Sequence, residues 1–345
     1  MSILPIFIPH AGCPHQCVFC NQRTISGQMK PALEGAQEQI ERWLHWFKPG
    51  TEQEAAFYGG SFTALDVTLQ EQLFALTDKL CEQQIIGRVR LSTRPDAIND
   101  EILQLLLKHR VYLVELGVQS LDDAVLCKAE RGHNAGAVYK AMSLLQKYNF
   151  QTGIQLMVGM PKQSFASLQD TIARVIDLKP DIARIYPLLV IKGTPLEQAY
   201  LKGEFAPLDL EKAVEQAAYA YEKLTESGIR VIRVGLQADE ELCKPGNIIA
   251  GPFHPSMGEL VKSRILRQKL ERAIGRFKEN ASLTKMFDVP IPITEGVTIA
   301  AIEQKNDAKT LVALNCSRKL ISQIKGIKSC NMHYFEAQRI IFKIL

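Results

Sequence analysis

Three cysteines near the start of the chain have a spacing that could hold a metal centre. The stretch CPHQCVFC places Cys13, Cys17 and Cys20 in the pattern C-x3-C-x2-C. Thiolates this close together must meet at one centre, and that centre is left one protein ligand short. A structural zinc ion usually takes four ligands, often from two separated pairs. A cubane iron–sulfur cluster is normally held by four cysteines, so three would leave one iron open to an exogenous ligand.

The remaining cysteines bear on the choice between these centres. Cys81, Cys127, Cys243, Cys316 and Cys330 are all isolated in the sequence, so no second pair completes a zinc site. Zinc is therefore the weaker alternative. A disulfide with one spare thiol is weaker still.

The composition narrows the class of protein. A chain of 345 residues suggests one large domain and a smaller one, with ample material for a buried core. It contains no apolar run of about 18 residues, which excludes a membrane-spanning helix. Because no signal peptide is recognisable, we expect a cytoplasmic protein, whose thiols stay reduced. Residues 251–345 carry 16 Lys or Arg against 8 Asp or Glu, and this basic excess hints at a polyanionic partner.

Strands and helices alternate along the first two thirds of the chain. Short apolar runs predict the strands, and apolar residues at helical spacing predict the helices between them. The predicted strands cover 3–8, 55–58, 88–92, 111–116, 152–158, 181–186 and 229–234, and the predicted helices cover 37–48, 68–82, 99–108, 136–149, 164–177 and 210–227. This alternation indicates an α/β domain with a parallel sheet. Six βα units suit an open, partial barrel better than a complete barrel of eight.

Unusual residues recur where the predicted strands end. Gly59, Gly60 and Ser61 follow the second strand, Gln119 follows the fourth, and Arg131 comes shortly beyond it. In barrels of this type, functional groups collect in the loops at the C-terminal ends of the strands. Two consecutive glycines let a backbone come close to a ligand, although a plain tight turn would have the same sequence.

These features resemble the radical S-adenosylmethionine (SAM) superfamily, whose cysteine spacing is the same and which often has an aromatic residue, here Phe19, before the third cysteine. The blocks LSTRPDAI, ELGVQSLDD, ERGHN and LMVGMP, in this order, are similar to the branch that holds the Elongator catalytic subunit and oxygen-independent coproporphyrinogen III oxidase. The similarity covers roughly residues 5–236. It implies a partial (β/α)6 radical SAM barrel over residues 1–236, followed by a small α+β region over 237–345.

The resemblance also implies the cofactors. In this superfamily Cys13, Cys17 and Cys20 would hold a [4Fe–4S] cluster, and the amino and carboxylate groups of SAM would chelate its open iron. One electron from the cluster then cleaves SAM to a 5′-deoxyadenosyl radical. That electron requires a one-electron reductant of the flavodoxin or ferredoxin type. His10 and His15 flank the cysteine loop, and either could bond a cluster sulfur or SAM or could simply pack the loop.

By motif position, the resemblance assigns further residues to SAM. The glycine turn meets the amino group of SAM in the superfamily, and the positions of Gln119 and Arg131 hold its ribose and carboxylate in the oxidase. The alternative for Arg131 is a surface ion pair. Gln155 stands where the oxidase has Asp, and Ser92 departs from the Glu that both relatives usually carry. The implied SAM-binding residues are Phe19, Gly59, Gly60, Ser61, Gln119, Arg131 and Gln155.

The C-terminal region suggests what the substrate is. A predicted helix over 258–278 is rich in Lys and Arg, which would suit a phosphate backbone, although a solvated helix packed on the barrel has the same pattern. Beyond it we expect a small α+β unit with strands at 297–303, 309–314 and 336–344 and a helix at 316–325. No pyrophosphate-binding Gly-rich loop follows residue 236, so the resemblance does not extend to the acetyltransferase domain of the Elongator-type enzymes.

Three functions are therefore compatible with the sequence. The basic helix and the Elongator-type resemblance favour a radical SAM enzyme that acts on RNA, with tRNA as the expected partner. Coproporphyrinogen-oxidase-like chemistry on a small anionic substrate is the first alternative. The second is a haem-binding or trafficking protein that keeps the cluster but has no turnover.

Overall fold

A computed structural model describes residues 2–8, 11–27, 30–236, 241–279, 285–304 and 309–345, so His10 lies outside the described residues. The chain divides into two compact units. The first contains residues 1–213 and 223–255, and the second contains residues 214–222 and 256–345. The domain boundary expected at residue 236 stays a prediction. Among the described residues, every helix is too short or too polar to span a lipid bilayer.

The first unit is built on a parallel sheet of seven strands in the order β1-β2-β3-β4-β5-β6-β8. The sheet strands are β1 (Ile3–Phe7), β2 (Glu54–Tyr58), β3 (Arg88–Thr93), β4 (Val111–Gln119), β5 (Gln151–Val158), β6 (Ile182–Pro187) and β8 (Arg230–Val234), while β7 (Val190–Ile191) pairs with β9 (Ile248–Ala250). The sheet curls into a half barrel. The predicted α/β class and partial barrel are confirmed.

Helices connect successive strands of this sheet. They are α1 (Gln22–Ser26), α2 (Ala32–Leu44), α3 (Val67–Glu82), α4 (Asp100–Lys108), α5 (Asp123–Lys128), α6 (Ala135–Lys147), α7 (Phe165–Leu178), α8 (Pro195–Leu201) and α9 (Leu210–Glu226). Polar side chains determine where several of them begin. Asn99 accepts a hydrogen bond from the Ile102 amide at 2.8 Å, and Asn134 caps α6 in the same way. Such caps satisfy backbone donors that have no partner within the helix.

Some elements differ from their predictions. Helix α2 spans 32–44 rather than 37–48, because the apolar residues after Leu44 lie outside the helix and Trp46 is exposed. Helices α1 and α8 and the β7–β9 pair were not predicted. These elements are too short to show a clear apolar period.

A network of buried charges lies between four strands of the sheet. Arg90 donates to Glu54 at 3.1 Å and to Glu115 at 2.6 Å. Arg184 reaches the two oxygens of Glu115 at 3.0 and 2.5 Å and donates to the hydroxyl of Tyr58 at 3.0 Å. All four charged side chains are almost fully buried. The ion pairs between them must therefore compensate for the interactions with water that each has lost.

The second unit packs a long helix against a four-stranded sheet. Its elements are α10 (Met257–Glu279), β10 (Lys285–Thr294), β11 (Val297–Gln304), β12 (Thr310–Cys316), α11 (Ile321–Lys325), α12 (Cys330–Ala337) and β13 (Ile340–Ile344). The sheet order is β10-β11-β12-β13, antiparallel except for the parallel pair β12–β13. Leu270 and Ile274 of α10 form a common core with Ile299, Val312 and Phe335.

Three predictions in this unit need correction. Strand β10 was missed because its prolines disfavour a strand, and they are tolerated since β10 is at the sheet edge. The final strand begins at Ile340 rather than residue 336, because helix α12 occupies 330–337. The helix predicted over 316–325 is only the short α11, preceded by a 3-10 turn at 318–320.

Candidate functional site

The cysteine loop lies at the carboxyl edge of the parallel sheet. It follows β1, and the amide of Ile8 donates to the carbonyl of Tyr58, the last residue of β2, at 2.8 Å. Cys13 and Cys20 are half-buried, Cys17 is 6% exposed, and all three are free thiols. The loop therefore begins beside the turn that follows β2.

Two glycines allow the cysteine loop and the β2 turn to interlock. A Cβ atom at Gly12 would lie 2.3 Å from the carbonyl oxygen of Ser61, and one at Gly60 would lie 2.3 Å from that of Ala11. The Ser61 amide donates to the Ala11 carbonyl at 2.9 Å, and the Ser61 hydroxyl is 3.4 Å from the sulfur of Cys13. Any larger side chain at either glycine would push the two loops apart. The predicted turn, which begins at Gly59, thus lies against the first cysteine.

Arg131 connects the cysteine loop to β4. Its guanidinium donates one hydrogen bond to the sulfur of Cys17 at 3.1 Å and another to the carbonyl oxygen of Gly117. Arg131 is only 7% exposed, so its interpretation as a surface ion pair is wrong. Arg94 holds it from the other side by donating to the Arg131 carbonyl, while itself pairing with Asp96 at 2.9 Å. Arg94 was not singled out from the sequence, although it lies in the block LSTRPDAI.

Gln119 and Arg131 lie on the same side of Gly117. A Cβ atom at Gly117 would be 3.2 Å from the amide nitrogen of Gln119 and 3.3 Å from a guanidinium nitrogen of Arg131. Gln119 ends β4 with a φ of +68°, a left-handed conformation that is uncommon outside glycine. Strain of this kind persists only where the surroundings enforce it. Two residues that lie twelve positions apart in the sequence thus present polar groups to one place.

Gln155 lies at the same level of the sheet as Gly117, and together with Gln119 these residues form one layer across β4 and β5. It is in register with Gly117 on β4, and its amide nitrogen donates to the hydroxyl of Ser92 at 3.1 Å. The Ser92 position, which departs from the family pattern, therefore contacts the Gln155 position, which departs from it as well. Phe19 lies apart from this layer and packs against a buried apolar cluster that includes Met157 and Met160.

The ERGHN block also contacts the cysteine loop. A Cβ atom at Gly132 would lie 2.1 Å from the ring of His15, so the exposed imidazole rests on this glycine. The next residue, His133, is partly buried. Burial, followed by the positive charge of Arg131, lowers the pKa of His133 to about 4. His133 is therefore neutral at physiological pH.

A cavity of about 550 Å³ opens beside the cysteines. Asn21 lies in its wall and donates from its side chain to the carbonyl of Lys192 at 2.8 Å. Asn21, Arg23 and Gly193 were not predicted, and only their closeness to the last cysteine or to a strand end could have signalled them. The cavity is lined by Cys13, Pro14, His15, Gln16, Cys20, Asn21, Arg23 and Gly193.

The electrostatic surroundings of the cysteine thiols indicate what kind of metal centre they could bind. Burial, followed by repulsion from Cys17 and Cys13, raises the pKa of the Cys20 thiol to about 12, and Arg131 opposes this shift. A cationic centre would therefore be needed to hold Cys20 as a thiolate. Closely spaced cysteine thiolates are the donors that hold iron–sulfur clusters, so the residues present fit a [4Fe–4S] cluster.

Comparison with known proteins assigns two regions of the chain to the same family. Residues 7–175 match the Radical SAM superfamily, and residues 180–267 match the Radical SAM C-terminal domain. The tRNA uridine(34) acetyltransferase of Methanocaldococcus infernus is 27% identical over 305 residues, which represent 76% of this chain and 55% of that protein. The chain thus spans about half the length of this relative.

Two solved structures share the fold. The archaeal Methanocaldococcus infernus Elp3 with an N-terminal deletion aligns with a TM-score of 0.61 at 22% identity, over 91% of this chain and 83% of that one. Coproporphyrinogen III oxidase (HemN) from Escherichia coli aligns with a TM-score of 0.50 at 21% identity, over 66% of this chain and 53% of that one. At these identities the likeness concerns the fold alone.

Proposed function

Because the chain belongs to the radical SAM superfamily, we propose that Cys13, Cys17 and Cys20 hold its [4Fe–4S] cluster and that its substrate is a tRNA. The cofactors of the enzyme are this cluster and SAM. When bound, they supply a primary carbon radical that abstracts hydrogen from a substrate. The protein contributes position and the exclusion of water.

One observation carries the assignment of the site. The Arg131 guanidinium joins the sulfur of Cys17 to the carbonyl of Gly117, so the cysteine loop adjoins the layer that contains Gln119 and Gln155. In this arrangement the Gly59–Ser61 turn would meet the amino group of SAM beside Cys13. Gln119, Gln155 and Arg131 would meet its ribose and carboxylate.

The substrate proposal depends on a relative and on charge. The relative from Methanocaldococcus infernus is named for its action on uridine 34 of tRNA. The second unit of this chain carries a helix with cations at 262, 264, 267, 269, 272 and 276, which suits a phosphate backbone. The proposal requires a one-electron reductant of the flavodoxin or ferredoxin type, and we place the reaction in the cytoplasm, where thiols stay reduced.

Reconstitution tests the cluster. The anaerobically reconstituted chain should contain about four iron and four sulfide and should release 5′-deoxyadenosine from SAM when reduced. Replacing Cys13, Cys17 and Cys20 together by Ala should abolish iron binding. Replacing the exposed Cys127 and Cys330 should leave it intact. A protein that holds only zinc and never cleaves SAM would contradict the proposal.

Nucleoside analysis tests the substrate. Bulk tRNA and coproporphyrinogen are incubated separately with the reduced enzyme and SAM, and both are then analysed by mass spectrometry. We expect a new nucleoside in the tRNA. A decarboxylated tetrapyrrole would instead establish oxidase-like chemistry. Tight haem binding without SAM cleavage would establish the trafficking alternative.

A further inference from the structure

A basic cleft lies within the second unit, between helix α10 and the edge strand β10. It has a volume of about 460 Å³. One wall is cationic, because Lys269, Arg272 and Arg276 project from the same side of α10. The floor is apolar and belongs to the unit's core, against which Ala273 and Ile291 pack. The residues that line the cleft are Lys269, Arg272, Ala273, Arg276, Ile291, Pro292 and Ile293.

The three cations form a row along the helix. From Lys269 to Arg276 the axis advances by about 10 Å, at about 1.5 Å per residue. Arg272 and Arg276 are exposed, while Lys269 is half-buried. A row of fixed positive charges beside an apolar floor suits a ligand with repeated negative charges and a flat apolar part. A nucleic-acid strand has both, in its phosphates and its bases.

One carboxylate competes for these cations. Glu222, from the part of α9 that belongs to this unit, lies 3.0 Å from Arg272 and 3.9 Å from Lys269. Its side chain is only 13% exposed. Glu222 therefore already neutralises part of the positive charge of Arg272 and Lys269, which an incoming phosphate would contact from the solvent side.

We propose that this cleft binds the phosphate backbone of the RNA substrate and that Glu222 weakens this binding. The inference rests on the proposed function, since it takes its ligand to be tRNA. The apolar floor is recessed between the helix and the strand, which favours a strand laid in a groove over a flat lipid surface. Binding at the cleft would hold the RNA independently of the cluster and SAM.

Salt dependence tests the contact. Each phosphate contact adds about 0.7–0.9 to the slope of log affinity against log salt concentration. Changing Lys269, Arg272 and Arg276 to Gln should weaken tRNA binding by the full chain roughly tenfold at 0.1 M salt and lower the slope by about 2. The matched control changes three exposed lysines that do not line the cleft, Lys319, Lys325 and Lys328, and should change neither quantity by a comparable amount.

A second variant is expected to change tRNA affinity in the opposite direction. Glu222→Gln keeps the shape of the side chain but removes its charge, so tRNA affinity should rise by several-fold. An ion pair with a merely structural role would lower stability without raising affinity. Circular dichroism confirms that each variant is folded, and substrate-free SAM cleavage should be unchanged in all of them.

The outcomes separate the two proposals. If the wild-type chain binds and modifies tRNA but the cleft variants bind like the control, the cleft inference is overturned and the proposed function stands. If the wild-type chain neither binds nor modifies tRNA, the substrate proposal fails as well. Stronger competition by poly-L-glutamate than by RNA would assign the cleft to an acidic protein and overturn the inference.

Discussion

The guanidinium of Arg131 donates a hydrogen bond to the sulfur of Cys17 across 3.1 Å, over 114 residues of sequence. The contact is buried, so solvent screens it little. Hydrogen bonds to the sulfurs of an iron–sulfur cluster are among the factors that set its reduction potential. With Cys17 as the proposed cluster ligand, a donor at its sulfur would stabilise the more negative, reduced state and raise this potential.

Replacing Arg131 should therefore make the cluster harder to reduce. For Arg131→Gln we expect the potential of the SAM-free cluster to fall by roughly 60 mV, a tenfold change in a one-electron equilibrium. Arg131→Lys keeps the positive charge, so the potential of the cluster should fall less in this variant. An electrochemical titration followed by electron paramagnetic resonance measures this directly. The exposed Arg110 provides the control substitution, and an unchanged potential in Arg131→Gln would show that the contact has no electronic role.

The interlocked loops predict a steric effect on cluster assembly. Gly60→Ala would bring a Cβ atom to 2.3 Å from the carbonyl of Ala11, so one of the two loops must move. We expect about 1–3 kcal/mol of lost stability and a lower iron content after reconstitution. Gly275→Ala in helix α10 is the matched control, because among the described residues its Cβ would meet no atom within 4 Å beyond its chain neighbours and the backbone of its own helix. Alanine there should be neutral or stabilising. Normal iron content in Gly60→Ala would contradict the packing argument.

The buried charge network predicts a large loss of stability when it is broken. Glu115 lies between Arg90 and Arg184, at 2.6 Å from the first and 2.5 Å from the second. Glu115→Gln would leave two buried arginines facing each other with less compensation, and we expect a loss of about 3–5 kcal/mol. Urea unfolding of the cluster-free chain measures it. Glu226, whose ion pair with Lys223 is exposed, should tolerate the same substitution with little effect.

His133 predicts a dependence of stability on pH. Burial and Arg131 lower its pKa to about 4 in the folded chain, against about 6.5 for an unperturbed histidine. Between these values the unfolded chain binds the proton more readily, so the contribution of His133 is complete above pH 6.5 and is lost as the pH falls toward 4. His133→Gln should flatten the change in unfolding free energy of the cluster-free chain between pH 7 and pH 5. The same substitution at His333, which is exposed on α12, provides the control.

Local features of the sequence were sufficient to predict the parallel α/β sheet and the cysteine loop, and the family resemblance added the partial barrel. Buried parallel strands and amphipathic helices each leave an apolar pattern within a dozen residues, and the three cysteines lie within eight positions of one another. The end of each strand could therefore be located, and with it the edge of the sheet where Gly59, Gln119 and Arg131 were expected to lie.

The tertiary structure alone decided which of these residues touch. Arg131 reaches Cys17, Ser92 reaches Gln155 across 63 positions, and Glu222 reaches Arg272 across 50. Such contacts depend on strand register and on the direction of individual side chains, which leave no periodic trace in the sequence. Strand β10 was hidden for a related reason, because proline disfavours a strand locally while an edge position in the folded sheet tolerates it.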